Sequence, residues 1–168
     1  TIIDSIVTLK ELVFRNINGT AINSINSKLE LLKCEFTNST GVNGLIDLNN
    51  SFIYLNDTKF SLTNGKLINS LNSNLKFNNT LFNSVKSDNN VIYALKTHLI
   101  FDNIEFTNID GKNSIVFVDS GNIHVFNSNF INNNISAFYT NNSDLAIQNS
   151  LFENISLNNS DIGLIHVV

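Results

Sequence analysis

Proline, methionine and tryptophan are absent from this 168-residue chain, and cysteine occurs once. A single Cys34 excludes an internal disulfide framework and says little about redox compartment. With no methionine and no signal peptide at Thr1, the chain reads as mature protein or as part of a longer one. Charge is also scarce: 14% of residues are Asp, Glu, Lys or Arg, against about 25% in typical domains. Arg15 is the sole arginine and the formal net charge is −4. No basic stripe can hold a phosphate backbone, so nucleic acid is not expected as a partner. No apolar run approaches the roughly 18 residues of a membrane span.

Asparagine stands where charge would be, with 33 copies. That number fits AT-rich coding, amide-lined turns or glycosylation equally well. Asn-rich tracts can be disordered, but the hydrophobic spacing here is regular. Seven segments share one pattern: Val7–Phe14, Leu29–Phe36, Ile53–Phe60, Leu75–Phe82, Leu99–Phe106, Ile123–Phe130 and Leu145–Phe152. Each has apolar residues seven and five positions before an unvarying phenylalanine, and the phenylalanines are 22, 24, 22, 24, 24 and 22 residues apart. A period of this size is a repeat architecture. A third apolar pair recurs at Ala21–Ile22, Leu45–Ile46, Leu67–Ile68, Val91–Ile92, Ile115–Val116, Ala137–Phe138 and Leu164–Ile165. From its second member to the next strand is always seven residues. From the phenylalanine to that member is eight or ten, and thirteen in the last coil, so two turns are fixed and one is free.

The fixed turns carry turn chemistry. Asn79, Asn103, Asn127 and Asn149, with Asp57 before them, stand three residues before the phenylalanine. Asn and Asp tolerate the left-handed backbone of a sharp bend, and stacked amides can bond along the stack as a ladder. Glu11 and Lys33 depart, so the ladder is expected to fray there. The other fixed turn carries Ser5, Ser27, Ser51, Ser73, Thr97, Gly121 and Ser143.

Three short strands and three turns per period make a coil. Seven coils stacked about 4.8 Å apart predict three parallel sheets and a rod of about 34 Å. Its core should hold a phenylalanine stack: Phe14, Phe36, Phe60, Phe82, Phe106, Phe130 and Phe152. Beside it should run Leu9, Leu31, Leu55, Phe77, Phe101, Val125 and Ile147. A leucine-rich horseshoe has a similar period, but its asparagine falls one residue later and its convex side is helical. Segments such as Thr37–Asn43 are too rich in Asn, Ser, Thr and Gly for a helix.

The run Asn127–Ser–Asn–Phe130–Ile–Asn–Asn–Asn134, then Ala137–Phe138 and Leu145–Ala–Ile147, resembles coils of pectin-lyase-like right-handed parallel β-helices. It looks most like the F-x-N repeats of polymorphic outer-membrane and adhesin-type surface proteins. Phe14–Arg–Asn16, Phe36–Thr–Asn38, Phe106–Thr–Asn108 and Phe152–Glu–Asn154 carry the same F-x-N. The resemblance covers the whole chain. It implies a right-handed single-stranded β-helix and an extracellular or cell-surface setting, and it does not imply an enzyme.

Polysaccharide lyases and hydrolases resemble one another in clustering carboxylates on the outer face beside the variable turn. Here that row reads Asn23, Asp47, Asn69, Tyr93, Phe117, Tyr139 and His166. Its single acid has no partner one coil away, so no catalytic pair is expected. His98, His124 and His166 fall at three phases, so no converging metal set and no cofactor are expected. Cys34 reads as small core filler. Tyr93, Phe117 and Tyr139 are the candidate binding face, either for a sugar chain or neighbouring rod or as a same-face stabilising ladder. N-glycosylation sequons begin at Asn18, Asn38, Asn49, Asn56, Asn78, Asn134, Asn141, Asn154 and Asn158, a mild excess over the about six that composition gives by chance.

The expectation is therefore a single β-helix segment over 1–168 with a structural role in a fibrous or surface glycoprotein. Its partners would be the continuing chain or an end-to-end copy. The alternative is an adhesin-like carbohydrate- or receptor-binding helix, and a polysaccharide lyase or hydrolase is a distant third.

Overall fold

The computed structural model describes residues 1–157 and 163–168. It is all-β among those residues, and every pairing between strands is parallel. The chain is a β-solenoid of about seven turns, each coil lying on the one before.

The first ladder consists of five-residue strands, Ile6–Lys10, Lys28–Leu32, Phe52–Asn56, Asn122–Phe126 and Asp144–Gln148. In the middle coils it is carried by the longer strands Asn74–Ser87 and His98–Thr107. The second ladder holds the phenylalanines, in strands such as Val13–Arg15, Glu35–Thr37 and Asn129–Ile131. The third follows the apolar pairs, in Ile22–Ile25, Ile46–Asn49, Ile68–Leu71 and Ile92–Leu95, and ends at Ile165–Val167. Register matches the sequence phases along the phenylalanine ladder, where Phe36 pairs with Phe60 and Phe82 with Phe106, and it shifts in the variable turn between Asp110 and Ser114.

The corners explain the asparagines. Among the described residues, twenty-one non-glycine residues have positive φ, between 47° and 57°. They form three sets of seven, one per corner per coil, and thirteen are asparagine. Two sets are the expected fixed turns. The third is the F-x-N asparagine itself, at Asn16, Asn38, Asn108, Asn132 and Asn154, with Leu62 and Ser84 in its place in the two intervening coils. This corner bends the chain two residues after each phenylalanine. The segment predicted to be free turn therefore begins with a fourth short ladder, pairing Thr40–Gly41 with Asn64–Gly65 and Lys86–Ser87 with Asp110–Gly111.

Ser, Thr and Cys follow the corners inward, where the sharp bend takes backbone groups out of the regular ladder. Ser27 Oγ donates to the Ile25 carbonyl (2.7 Å) and accepts from Ser5 N–H (3.1 Å). Ser51 and Ser73 repeat this on the next coils. Buried backbone donors and acceptors need such partners. Cys34 holds the equivalent place at the second corner, its Sγ 3.4 Å from the Leu9 carbonyl.

The core stack is as the spacing requires. Successive rings from Phe14 to Phe152 are 4.5, 4.8, 4.7, 4.5, 5.1 and 4.7 Å apart, with planes within 19°. Phe36, Phe60, Phe82, Phe106 and Phe130 are fully buried, whereas Phe14 and Phe152 in the end coils are half-buried. Leu31, Leu55, Phe77, Phe101 and Val125 are buried beside them, with Leu9 and Ile147 partly exposed.

Candidate functional site

The outer row of the third ladder is brought into register from Asn23 to His166 by six successive pairings. Tyr93, Phe117 and Tyr139 therefore project on one face, half-buried, with centroids 5.0 and 5.5 Å apart and planes at 4° and 22°. Both ends of the stack are covered. Lys66 Nζ lies 4.5 Å over the Tyr93 ring, and His166 stacks on Tyr139 at 4.7 Å. The rings consequently spend their faces on one another and offer edges to solvent. Stacking of a sugar requires a free face, so this geometry favours the stabilising ladder over docking on the rings themselves.

Polar groups extend the row. Lys66 Nζ donates to Asn69 Oδ1 at 3.3 Å, and Asn69 Nδ2 donates to Asp47 Oδ1 at 2.7 Å. Burial lowers the Lys66 pKa from its ordinary range, with Asp47 acting in the opposite direction. Beside the aromatic edges, Asn90, Asn113, Ser114, Phe117 and Tyr139 line a cavity of about 180 Å³. Asn90 Oδ1 shapes it by accepting from Ser114 N–H (3.2 Å) and Oγ (2.9 Å).

The predicted asparagine ladder forms in part. Asn79 Nδ2 donates to Asp57 Oδ1, and Asn103 Nδ2 to Asn79 Oδ1 at 3.1 Å. Asn127 then leaves the row and donates to Asp102 at 3.1 Å, because a carboxylate one residue earlier is a stronger acceptor than the Asn103 amide. Asn149 makes no side-chain hydrogen bond among the described residues. Amide pairs form at the other corners instead, as in Asn38 to Asn16 (2.7 Å) and Asn50 to Asn26 (3.3 Å).

Four sequons arise from corner chemistry. In those beginning at Asn49, Asn56, Asn78 and Asn141, the third residue is the corner hydroxyl, and it donates to the carbonyl of the sequon asparagine itself. A strand that ends in asparagine before such a corner spells N-x-S/T without reference to glycans. The attachment atom is also engaged in several: Nδ2 of Asn38, Asn56, Asn78, Asn134, Asn141 and Asn154 donates to a neighbouring side chain. Asn18 and Asn49 are exposed, with side chains that make no hydrogen bond among the described residues. Asn158 lies outside the described residues.

The histidines require a correction. His98 and His124 were expected to stay apart because their phases differ, yet their rings are in contact, with centroids 5.6 Å apart and planes at 74°. The phases differ by two, which keeps both on one face of the first ladder, and neighbouring coils bring the diagonal pair within reach. Burial lowers the His98 pKa and the nearby His124 lowers it further. His166 is remote, on the third ladder. Among the described residues no three of His, Cys, Asp and Glu form a metal-holding group, and no helix is long and apolar enough to cross a membrane.

The fold thus defines a class, the parallel β-solenoids. No protein-family profile and no curated protein sequence matches the chain. Among solved structures it is similar to the Streptococcus pneumoniae surface protein and adhesin PfbA, at 10% identity over 94% of this chain and 67% of that one, with a TM-score of 0.24. It is also similar to HetL, a pentapeptide repeat protein involved in heterocyst differentiation regulation from the cyanobacterium Nostoc, at 8% identity over 92% and 86%, with a TM-score of 0.19. A third is QnrB1, a plasmid-mediated fluoroquinolone resistance protein, at 12% identity over 89% and 93%, with a TM-score of 0.17. Likenesses of this size carry no argument about function.

Proposed function

We propose that this chain is a structural, non-enzymatic rod segment of an extracellular or cell-surface protein, in the right-handed pectin-lyase-like class that its F-x-N coils resemble. The carrying observation is continuity: one phenylalanine stack runs unbroken from Phe14 to Phe152, and parallel ladders join the coils along it. Stiffness follows, because each coil is held to its neighbours by backbone hydrogen bonds and buried rings. Low charge and abundant exposed amides suit a surface kept soluble by polar groups and sugar. Asn18 and Asn49 are the sites we assign first for N-glycans, since their amides are exposed and uncommitted.

The end coils expose apolar surface, with Ile6 81% and Val167 63% accessible. We assign that surface to another coil, from the same chain or a second copy. Electron microscopy of the native material, with glycan mass measured on the same sample, tests the reading. Stiff rods carrying sugar support it; short, unglycosylated particles refute it.

The cavity beside Phe117 and Tyr139 favours one second reading, an adhesin-like site for a sugar or receptor group held at the ring edges. Loss of glycan-array binding in Tyr139→Ala, with the rod intact, would establish it, while Tyr93→Ala, outside the cavity, should bind normally.

A further inference from the structure

We propose that His98 and His124 form a divalent transition-metal site on the outer face of the first ladder, with one ring nitrogen from each side chain and water in the remaining positions. His98 registers with Asn122, and His124 follows two residues later on the same strand, so the two imidazoles meet diagonally across adjacent coils. Their centroids are 5.6 Å apart. With metal–nitrogen bonds of about 2.0–2.1 Å and tetrahedral angles, two chelating imidazoles place their centroids about 5 Å apart. The pair therefore stands close to chelating separation on a rigid scaffold, and the site requires both side chains to turn so that one nitrogen of each ring faces a shared point.

Availability of the nitrogens is the second observation. Neither imidazole has a hydrogen bond or an ion pair to a carboxylate among the described residues; their contacts are with each other and, for His124, with the Phe126 ring at 6.1 Å. Space for the remaining ligands is the third. A polar cavity of about 340 Å³ opens beside His98, with Asn74, Lys96, Ser120 and Asn122 in its walls. Imidazole nitrogen selects zinc, copper and nickel over calcium or magnesium, and copper binds more tightly than zinc at a site with no enforced geometry.

The test uses the intact chain stripped of metal. Zn²⁺ is titrated in while histidine ring resonances are followed by NMR and affinity is measured by calorimetry, for the wild type and for His98→Asn, His124→Asn and His166→Asn. One equivalent should move the His98 and His124 signals together. Affinity should fall on the order of tenfold or more in each of the first two variants and stay unchanged in His166→Asn. Circular dichroism of the metal-free variants checks that the rod is intact, and if a variant fails to fold, the wild-type resonance shifts decide alone. Undiminished binding in either His98→Asn or His124→Asn, shifts confined to other residues, or no binding at millimolar Zn²⁺ overturns the proposal.

Discussion

Replacing Phe106 with alanine removes a ring from the middle of the stack. Phe106 is fully buried, 4.5 Å from Phe82 and 5.1 Å from Phe130, with an edge contact to Phe101 at 6.0 Å. Its neighbours cannot close the gap, because each sits on a strand pinned on both sides by ladder hydrogen bonds. The cavity term is then nearly complete, and a loss of about 3–5 kcal/mol is expected. Phe14 is the internal control: it is half-buried and stacks on Phe36 alone, so Phe14→Ala should cost about 1–2 kcal/mol. Phe106→Leu, which keeps most of the volume, should fall between the two. Because solenoid stability is a sum over coils and the interfaces between them, the central substitution should also lower the m-value as the two halves uncouple. Urea unfolding followed by circular dichroism reads both quantities. If Phe106→Ala costs no more than Phe14→Ala, the stack is not what holds the coils together.

Leu62 occupies a left-handed corner at φ 52° with its side chain 63% exposed, so it bears the conformational cost without a compensating burial. Leu62→Asn should stabilise the chain by about 1 kcal/mol in thermal unfolding. Gly121→Ser appears from the sequence to complete a serine row, but its Cβ would lie 2.1 Å from the Thr97 carbonyl oxygen. A loss of about 1–3 kcal/mol is expected in urea unfolding instead, and a gain would refute the geometry. Lys66 has a lowered pKa, so the folded state binds fewer protons than the unfolded state as the pH nears 10.5. Stability should therefore rise with pH in the window just below 10.5, relative to Lys66→Met, in urea midpoints measured across it; equal slopes would refute burial as the cause.

Much of the architecture is written along the chain. Coil length, the phenylalanine stack and two of the corners follow from residues seven and five before each phenylalanine and from Asn or Ser at fixed offsets. These features are local, so their periods survive in one dimension. The third corner was legible as F-x-N but not as a bend, because Leu62 and Ser84 break the pattern while their backbone keeps the same conformation. The fourth ladder was hidden for the same reason.

The candidate sites depended on what stacking places side by side. His98 meets His124 only because a diagonal in a parallel ladder spans one coil and two residues, a relation with no period of its own. Asn127 turns to Asp102, and Lys66 caps Tyr93, because side chains choose the best acceptor or ring within reach rather than the partner at their own phase. Sequons counted as glycan signals proved to include corner hydroxyls bonded to their own asparagine carbonyls. Sequence alone determined the coil, since hydrophobic period and turn chemistry act within a few residues of backbone. Tertiary structure decided which faces remain free, since that depends on contacts 22 to 27 residues apart, set by stacking register.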